Sequence, residues 1–236
     1  MIENLKIKIF ADGADQDNMI EMYKKPFIKG LTTNPTLMKQ AGIKDYEYFG
    51  KEVLQTITDK PISFEVFSDE FNEMERQALK ISNWGKNVFV KIPVTNTRGE
   101  NSLELIEKLS KNRVKLNITA MTTFEQVEKV VQRLDPQTYN YVSLFAGRVA
   151  DTGIDPINIM KKCVNLLKNS PKTELIWASP RELLNIFQAN EIGCHVITVT
   201  PEILKKLKLI GKNLDEYSLE TVKMFYQDAM EAGYNL

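Results

Sequence analysis

Short apolar runs alternate with longer amphipathic segments along the whole chain. Each run is rich in β-branched or aromatic residues and is followed by polar ones, a pattern typical of buried strands in a parallel sheet. Eight such runs occur in 236 residues: Ile7–Ala11, Pro26–Leu31, Ile62–Phe67, Val88–Ile92, Val114–Ile118, Tyr141–Phe145, Glu174–Ala178 and Val196–Val199. Because helical segments separate most of the runs, the pattern predicts a (β/α)8 TIM barrel of the α/β class, with a doubly wound sheet as the alternative.

Helical periodicity is clearest in six segments between the runs: Ala14–Tyr23, Asp69–Trp84, Ser102–Ser110, Thr123–Leu134, Pro156–Leu167 and Pro180–Ala189. After the eighth run, a short helix is predicted for Pro201–Leu207 and an additional amphipathic helix for Asp215–Ala232. The apolar stripe of this last helix needs a cover, either the barrel's own face or a neighbouring subunit. We expect residues 1–236 to form one barrel domain, with 215–232 as an extra C-terminal helix.

The composition narrows the functional classes. Lys plus Arg and Asp plus Glu both number 31, so the formal net charge is zero, whereas nucleic-acid binders and membrane-surface proteins normally carry a basic excess. Two cysteines and an N-terminus without a signal-like apolar core are consistent with a reducing cytoplasm, the expected location. A single histidine, His195, argues against His-rich metal sites and a Ser-His-Asp triad. The chemistry is therefore expected to use carboxylates, lysine, hydroxyls and backbone groups.

Polar side chains follow most of the predicted strands, at the end where barrel enzymes hold their active sites. Successive examples are separated by roughly the length of a strand–helix unit, so we expect them to converge on one mouth of the barrel. They are Asp12, Thr32, Thr33, Asn34, Glu65, Lys91, Asn117, Thr119, Ser143, Arg148, Ser179, Arg181 and Thr198.

Lys91 is the most informative of these residues. It follows Val88–Val90 and precedes Ile92, so its amine is expected to lie among apolar side chains. Burying a charged lysine is costly, which favours the neutral amine. A neutral amine attacks a carbonyl to form a Schiff base, which accepts electrons during carbon–carbon cleavage. The structural alternative is an ion pair with Glu65 on the preceding strand.

Such chemistry also needs a proton shuttle, for which Asp12 and Glu65 are the candidates. Asp12 would exchange a proton with the hydroxyl at the bond being cleaved, and Glu65 would hold the water used in forming and hydrolysing the imine. The alternative for Asp12 is a helix N-cap for Ala14–Tyr23, since Asp is a favoured cap.

Two arginines suit a phosphate monoester. Arg148 and Arg181 lie just past consecutive strand ends, and guanidinium groups together with the Ser179 hydroxyl would bind phosphate oxygens. The alternative is that each arginine forms a salt bridge at the rim, with Asp151 or Glu182.

The strand-end segments, in this order, resemble the transaldolase family, which includes fructose-6-phosphate aldolases and consists of class I (Schiff-base) aldolase barrels. The resemblance runs from Phe10 to about Leu204. It is carried by Phe10–Ala14, Gly30–Pro35, Phe64–Val66, Val90–Pro93, Leu116–Ala120, Ser143–Arg148, Ala178–Arg181 and Thr198–Pro201.

The resemblance implies that Lys91 forms the Schiff base, that Asp12 is the acid–base residue, and that Glu65 and Thr119 position the catalytic water. The residues it implies for substrate binding are Thr32, Asn34, Asn117, Ser143, Phe145, Arg148, Ser179 and Arg181. The implied reaction transfers a dihydroxyacetone unit from a ketose phosphate, of the sedoheptulose 7-phosphate or fructose 6-phosphate type, to an aldose phosphate. It requires no metal or organic cofactor, and short members of the family are commonly homo-oligomers.

Two alternatives stay open. A fructose-6-phosphate aldolase-like enzyme would release free dihydroxyacetone, but such members tend to carry Gln and Tyr where this chain has Glu65 and Phe145. A sugar-phosphate-binding barrel without turnover is supported only by departures from the family pattern near Gly13 and Pro180.

Overall fold

In the computed structural model, which describes residues 2–236 apart from the side chain of Glu3, eight strands close into a parallel barrel. Each strand pairs with the next along the chain, and the first pairs with the last, with Lys8 opposite Val196. The TIM-barrel prediction is therefore confirmed over the doubly wound alternative. The strands are β1 Lys8–Asp12, β2 Ile28–Thr32, β3 Ile62–Glu65, β4 Val88–Pro93, β5 Leu116–Met121, β6 Asn140–Leu144, β7 Thr173–Trp177 and β8 Val196–Val199.

Helices follow every strand. They are α1 Gln16–Lys24, α2 Pro35–Gln40, α3 Tyr46–Thr56, α4 Phe71–Ser82, α5 Leu103–Lys111, α6 Phe124–Val131, α7 Ala146–Asp151, α8 Ile157–Leu167, α9 Leu184–Glu191, α10 Pro201–Leu204 and α11 Leu214–Glu231, with 3-10 turns at Ile2–Asn4 and Lys205–Leu209. No helix within residues 2–236 is both long and apolar enough to cross a membrane.

Aromatic rings from different strands fill the barrel interior. Tyr141 of β6 meets Phe10 of β1 edge-on, with ring centroids 5.5 Å apart, and lies 4.5 Å from Phe89 of β4. A Cβ atom at Gly30 of β2 would come within 2.5 Å of the Phe10 ring, so glycine leaves the space that this ring fills. Because this layer of side chains fills the interior, the side chains at the strand ends lie at the mouth of the barrel.

The connection between β2 and β3 differs most from the sequence prediction, because it holds two helices that the periodicity did not indicate. Asn34 caps α2, with Pro35 at its first position, and Asp45 caps α3. A six-residue helix is too short to show a 3.6-residue apolar period. The seventh repeat also begins its helix later than predicted, at Leu184.

Residues 205–236 form a compact unit of their own, separate from the unit that ends at Leu204. Its main element, α11, matches the predicted C-terminal helix and is capped by Asn213, whose side chain accepts from the Asp215 and Glu216 N–H groups. No described residue of α11 is buried, and its Leu, Val, Met and Phe side chains, including Leu219, Val222 and Phe225, are at least half exposed. The expectation of one domain that includes this helix stays a prediction.

Candidate active site

One cavity at the carboxyl ends of the strands, of about 530 Å³, collects all twelve of the predicted site residues. They come from or directly follow seven of the eight strands. They are Asp12, Thr32, Asn34, Glu65, Lys91, Asn117, Thr119, Ser143, Phe145, Arg148, Ser179 and Arg181. The structure thus brings these side chains together; the chemical role of each stays a prediction.

Lys91 on β4 places its amine on the cavity wall. The side chain is 8% exposed, its Nζ lies 3.0 Å from Glu65 Oε2, and it donates a hydrogen bond of 2.9 Å to the Thr33 carbonyl oxygen. Glu65 and Lys91 are directly opposite one another on β3 and β4. The ion pair named as the structural alternative is therefore present, and both of its members line the cavity.

Asp12, the last residue of β1, is held by a hydroxyl network. Thr32 donates to Asp12 Oδ1 at 2.7 Å, and the Thr32 hydroxyl also contacts that of Thr198 on β8. Desolvation by the surrounding protein raises the pKa of Asp12, while the Lys91 ammonium and the Thr32 hydrogen bond partly oppose that rise. A carboxyl group with a raised pKa exchanges protons more readily near neutral pH.

The cap proposed as the alternative role for Asp12 belongs to another residue. Asp15 caps α1, with its side chain accepting from the Asn18 N–H at 2.9 Å. Asp12 therefore remains available to a ligand in the cavity.

Buried hydroxyl and amide groups line the β5–β6 side. Ser143 donates to Asn117 Oδ1 at 2.7 Å, and Asn117 Nδ2 donates to the Ser63 hydroxyl at 3.0 Å, which fixes the orientation of the Asn117 amide. The Thr119 hydroxyl is buried and has no hydrogen-bond partner among the residues that the structure describes. A buried hydroxyl without a protein partner on a cavity wall is suited to bind water or a substrate oxygen.

Asn34 has two uses. Its Oδ1 accepts from the Leu37 N–H at 3.0 Å, which caps α2, so the side-chain NH2 group is left to donate toward the cavity residues. Asn34 can therefore cap α2 with its side-chain oxygen and bind a ligand with its side-chain nitrogen.

The two arginines have different surroundings. Arg181 Nε donates to Asp151 Oδ1 at 3.0 Å, and a second guanidinium nitrogen contacts Asp151 Oδ2. The Arg148 guanidinium lies 5.6 Å from the Phe145 ring centroid. The rim salt bridge named as an alternative is thus present for Arg181 with Asp151.

Backbone packing brings the two arginine segments together. Ser179 has φ +60°, in the left-handed region, and a Cβ atom at Gly147 would lie 1.5 Å from the Ser179 carbonyl oxygen. Only glycine allows the start of α7 to approach this loop so closely. Gly147 therefore sets the spacing between the segments that carry Arg148 and Arg181.

Sequence reasoning assigned no role to seven further cavity residues: Pro35, Thr36, Leu37, Gln40, Ala120, Ala178 and Thr198. Thr198, on β8, was already among the polar strand-end residues expected at this mouth. Gln40 and its neighbours lie on α2, which the periodicity did not indicate. Within residues 2–236, no three His, Cys, Asp or Glu side chains come together in a group that could hold a metal ion.

Comparison with known proteins adds a family to this geometry. The sequence pattern described as "Transaldolase/Fructose-6-phosphate aldolase" matches residues 9–236. A protein of Thermoanaerobacter sp. (strain X514) named "Probable transaldolase" is 32% identical over 231 residues, 98% of this chain and 100% of the relative. A "Probable transaldolase" of Caldicellulosiruptor saccharolyticus is 34% identical over 203 residues, 85% of this chain and 89% of the relative.

A solved structure of a dihydrodipicolinate synthase family protein from Coccidioides immitis superposes with a TM-score of 0.62 at 10% identity, covering 84% of this chain and 68% of that one. At this identity the likeness shows the shared barrel fold alone. The family match and the relatives extend over nearly the whole chain. This chain therefore belongs to the transaldolase/fructose-6-phosphate aldolase family of enzymes.

Proposed function

We propose that the protein is a transaldolase that moves a dihydroxyacetone unit from a ketose phosphate to an aldose phosphate through a Schiff base on Lys91. The observation that carries this proposal is the Lys91 amine on the wall of the same cavity as Asp12 and Glu65. Donors of the sedoheptulose 7-phosphate or fructose 6-phosphate type fit the family and the cationic rim.

The reaction begins with attack of the neutral Lys91 amine on the donor's C2 carbonyl, and loss of water gives an iminium ion. Asp12 then takes the proton of the C4 hydroxyl while the C3–C4 bond breaks. The electron pair of that bond moves into the iminium and forms an enamine. The shortened aldose phosphate leaves. The enamine attacks the acceptor aldehyde, Asp12 returns the proton to the new hydroxyl, and water hydrolyses the imine.

The remaining cavity residues fit roles around this sequence. Glu65 and the unpartnered Thr119 hydroxyl would position the water that is released and taken up again. The amides of Asn34 and Asn117 would donate to sugar hydroxyls. Thr32, Ser143 and Phe145 would surround the three-carbon unit.

Arg148, Arg181 and Ser179 would bind the phosphate group. The bidentate contact with Asp151 uses Arg181 Nε and one terminal nitrogen, so the other terminal nitrogen is left to donate to a phosphate oxygen. The exposed apolar side chains of α11 support the expectation of a homo-oligomer, which light scattering would test.

Borohydride trapping tests the proposal. With fructose 6-phosphate, reduction is expected to leave a three-carbon adduct on the peptide that contains Lys91, and no adduct should form on the Lys91→Met variant. An adduct on another lysine, or sugar binding with neither adduct nor exchange, would contradict the mechanism; the second outcome would favour a barrel that binds without turnover. Sustained release of dihydroxyacetone without an aldose phosphate would instead indicate a fructose-6-phosphate aldolase.

A further inference from the structure

Tyr46, the first residue of α3, holds the backbone of Glu65 from outside the active-site cavity. Its hydroxyl donates to the Glu65 carbonyl oxygen at 2.8 Å and accepts from the Glu65 N–H at 2.8 Å. One phenol thus satisfies both backbone groups of the residue whose carboxylate pairs with Lys91.

The β2–β3 ladder explains why these groups need a partner. Leu31 N–H donates to the Pro61 carbonyl and Thr33 N–H to the Ser63 carbonyl, and strand pairing ends there. The next bonds of a parallel ladder would run from the Glu65 N–H to the Thr33 carbonyl, and from the N–H of residue 35 to the Glu65 carbonyl. Residue 35 is proline and has no N–H, so the second bond cannot form.

The Tyr46 hydroxyl takes the place of both missing bonds. Because it accepts the Glu65 N–H, the Thr33 carbonyl is left to accept the Lys91 amine, at 2.9 Å. Where the β2–β3 pairing ends, the Tyr46 hydroxyl therefore holds the backbone of Glu65, and the Thr33 carbonyl oxygen holds the amine of Lys91.

The surroundings of Tyr46 keep its ring fixed and its hydroxyl protonated. The ring lies 5.8 Å from that of Trp84, 6.4 Å from Phe64 and 5.3 Å from Phe67, between centroids. Burial raises the pKa of the phenol well above its usual value; the hydrogen bond with the Glu65 backbone partly opposes this rise, and the Glu65 carboxylate adds slightly to it. A neutral phenol can donate and accept at once, as the two backbone contacts require.

We propose that Tyr46 is a positioning residue that sets the direction of the Glu65 carboxylate toward Lys91 and the catalytic water. The inference rests on the proposed function, in which Glu65 orients that water. Tyr46 does not line the cavity, so its effect is expected to pass through Glu65.

The test is a double-mutant cycle between Tyr46→Phe and Glu65→Ala, with Tyr48→Phe as the matched control. Tyr48 lies on the same helix and is 65% exposed. Tyr46→Phe is expected to lower kcat about tenfold and change KM for the ketose phosphate less than about twofold, while Tyr48→Phe changes neither. In the Glu65→Ala background, Tyr46→Phe should change kcat less than about twofold, because no carboxylate remains to be positioned.

Two results would overturn the inference. Unchanged kcat in folded Tyr46→Phe, or an equal kcat loss in both backgrounds, would make Tyr46 a structural residue. If Tyr46→Phe does not fold, the cycle is repeated with 4-aminophenylalanine, which keeps the ring and a poorer acceptor, and the same coupling to Glu65 is required. Borohydride trapping in the wild-type protein tells the two kinds of failure apart. An adduct on Lys91 with no coupling between Tyr46 and Glu65 would refute only this inference, whereas no adduct would refute the proposed function and the inference with it.

Discussion

Among the described residues, one lysine–glutamate pair joins two strands at each end of the barrel, and the more buried pair has the longer contact. At the carboxyl end, Lys91 and Glu65 lie 3.0 Å apart with side chains 8% and 16% exposed. At the amino end, Lys8 and Glu174 lie 2.6 Å apart with side chains 46% and 24% exposed. The shorter contact is therefore the one that water reaches.

Solvent decides what each pair can do. At the amino end, water screens the attraction and solvates either charge if its partner is lost, so the pair contributes little. At the carboxyl end, removing one partner leaves a charge that few other groups can solvate. Loss of the lysine–glutamate pair is therefore expected to cost little at the amino end and more at the carboxyl end.

The largest expected difference between the pairs is in catalysis. Lys91→Met removes the nucleophile at similar length and should lower kcat by at least about a thousandfold, whereas Lys8→Met should stay within about twofold of wild type. Steady-state transfer assays measure both, with circular dichroism as the check on folding. Retained activity in Lys91→Met would refute the Schiff-base role. Loss of the fold in that variant would show that the ion pair is needed for stability.

The next difference is in stability. Glu65→Gln removes the carboxylate that lies 3.0 Å from the buried Lys91 amine and should cost roughly 3 kcal/mol of unfolding free energy. Glu174→Gln should cost less than about 1 kcal/mol. Urea unfolding followed by the fluorescence of Trp84 and Trp177, both in the barrel unit, compares the two variants. Equal losses would mean that burial does not distinguish the pairs.

The strand ends are the part of this site that a sequence reader can predict. Lys91 and Asp12 follow apolar runs, and chain connectivity alone sends every such position to the same mouth of a parallel barrel. That argument needs no side-chain geometry, and it accounts for eleven of the twelve site residues in the cavity; the twelfth, Phe145, was implied by the family resemblance.

Partner choice is the part that could not be predicted. Asp12 and Asp15 are equally good caps by residue type, and only the observed start of α1 selects Asp15. Asp151 and Glu182 were equal candidates for Arg181, and the structure pairs Arg181 with Asp151. No sequence pattern indicated a role for Tyr46. Its contact with Glu65 depends on where α3 packs and on Pro35, which has no N–H to donate to the Glu65 carbonyl oxygen.

The smallest expected effect concerns pH and belongs to the amino end. His195 Nδ1 accepts from the Leu175 N–H at 3.2 Å, which requires the neutral ring. Burial lowers the pKa of His195 below its usual value; the Glu174 carboxylate opposes this shift and the Lys8 ammonium adds to it. Between the folded and unfolded pKa values, the unfolded chain binds more protons, so stability falls as pH drops below about 6.5. In His195→Gln, which cannot titrate, the urea midpoint should fall less between about pH 7.5 and about pH 5.5 than in wild type. Because Glu174 favours the charged ring, Glu174→Gln should make the fall steeper, and identical pH slopes in all three proteins would show that His195 does not couple protonation to folding.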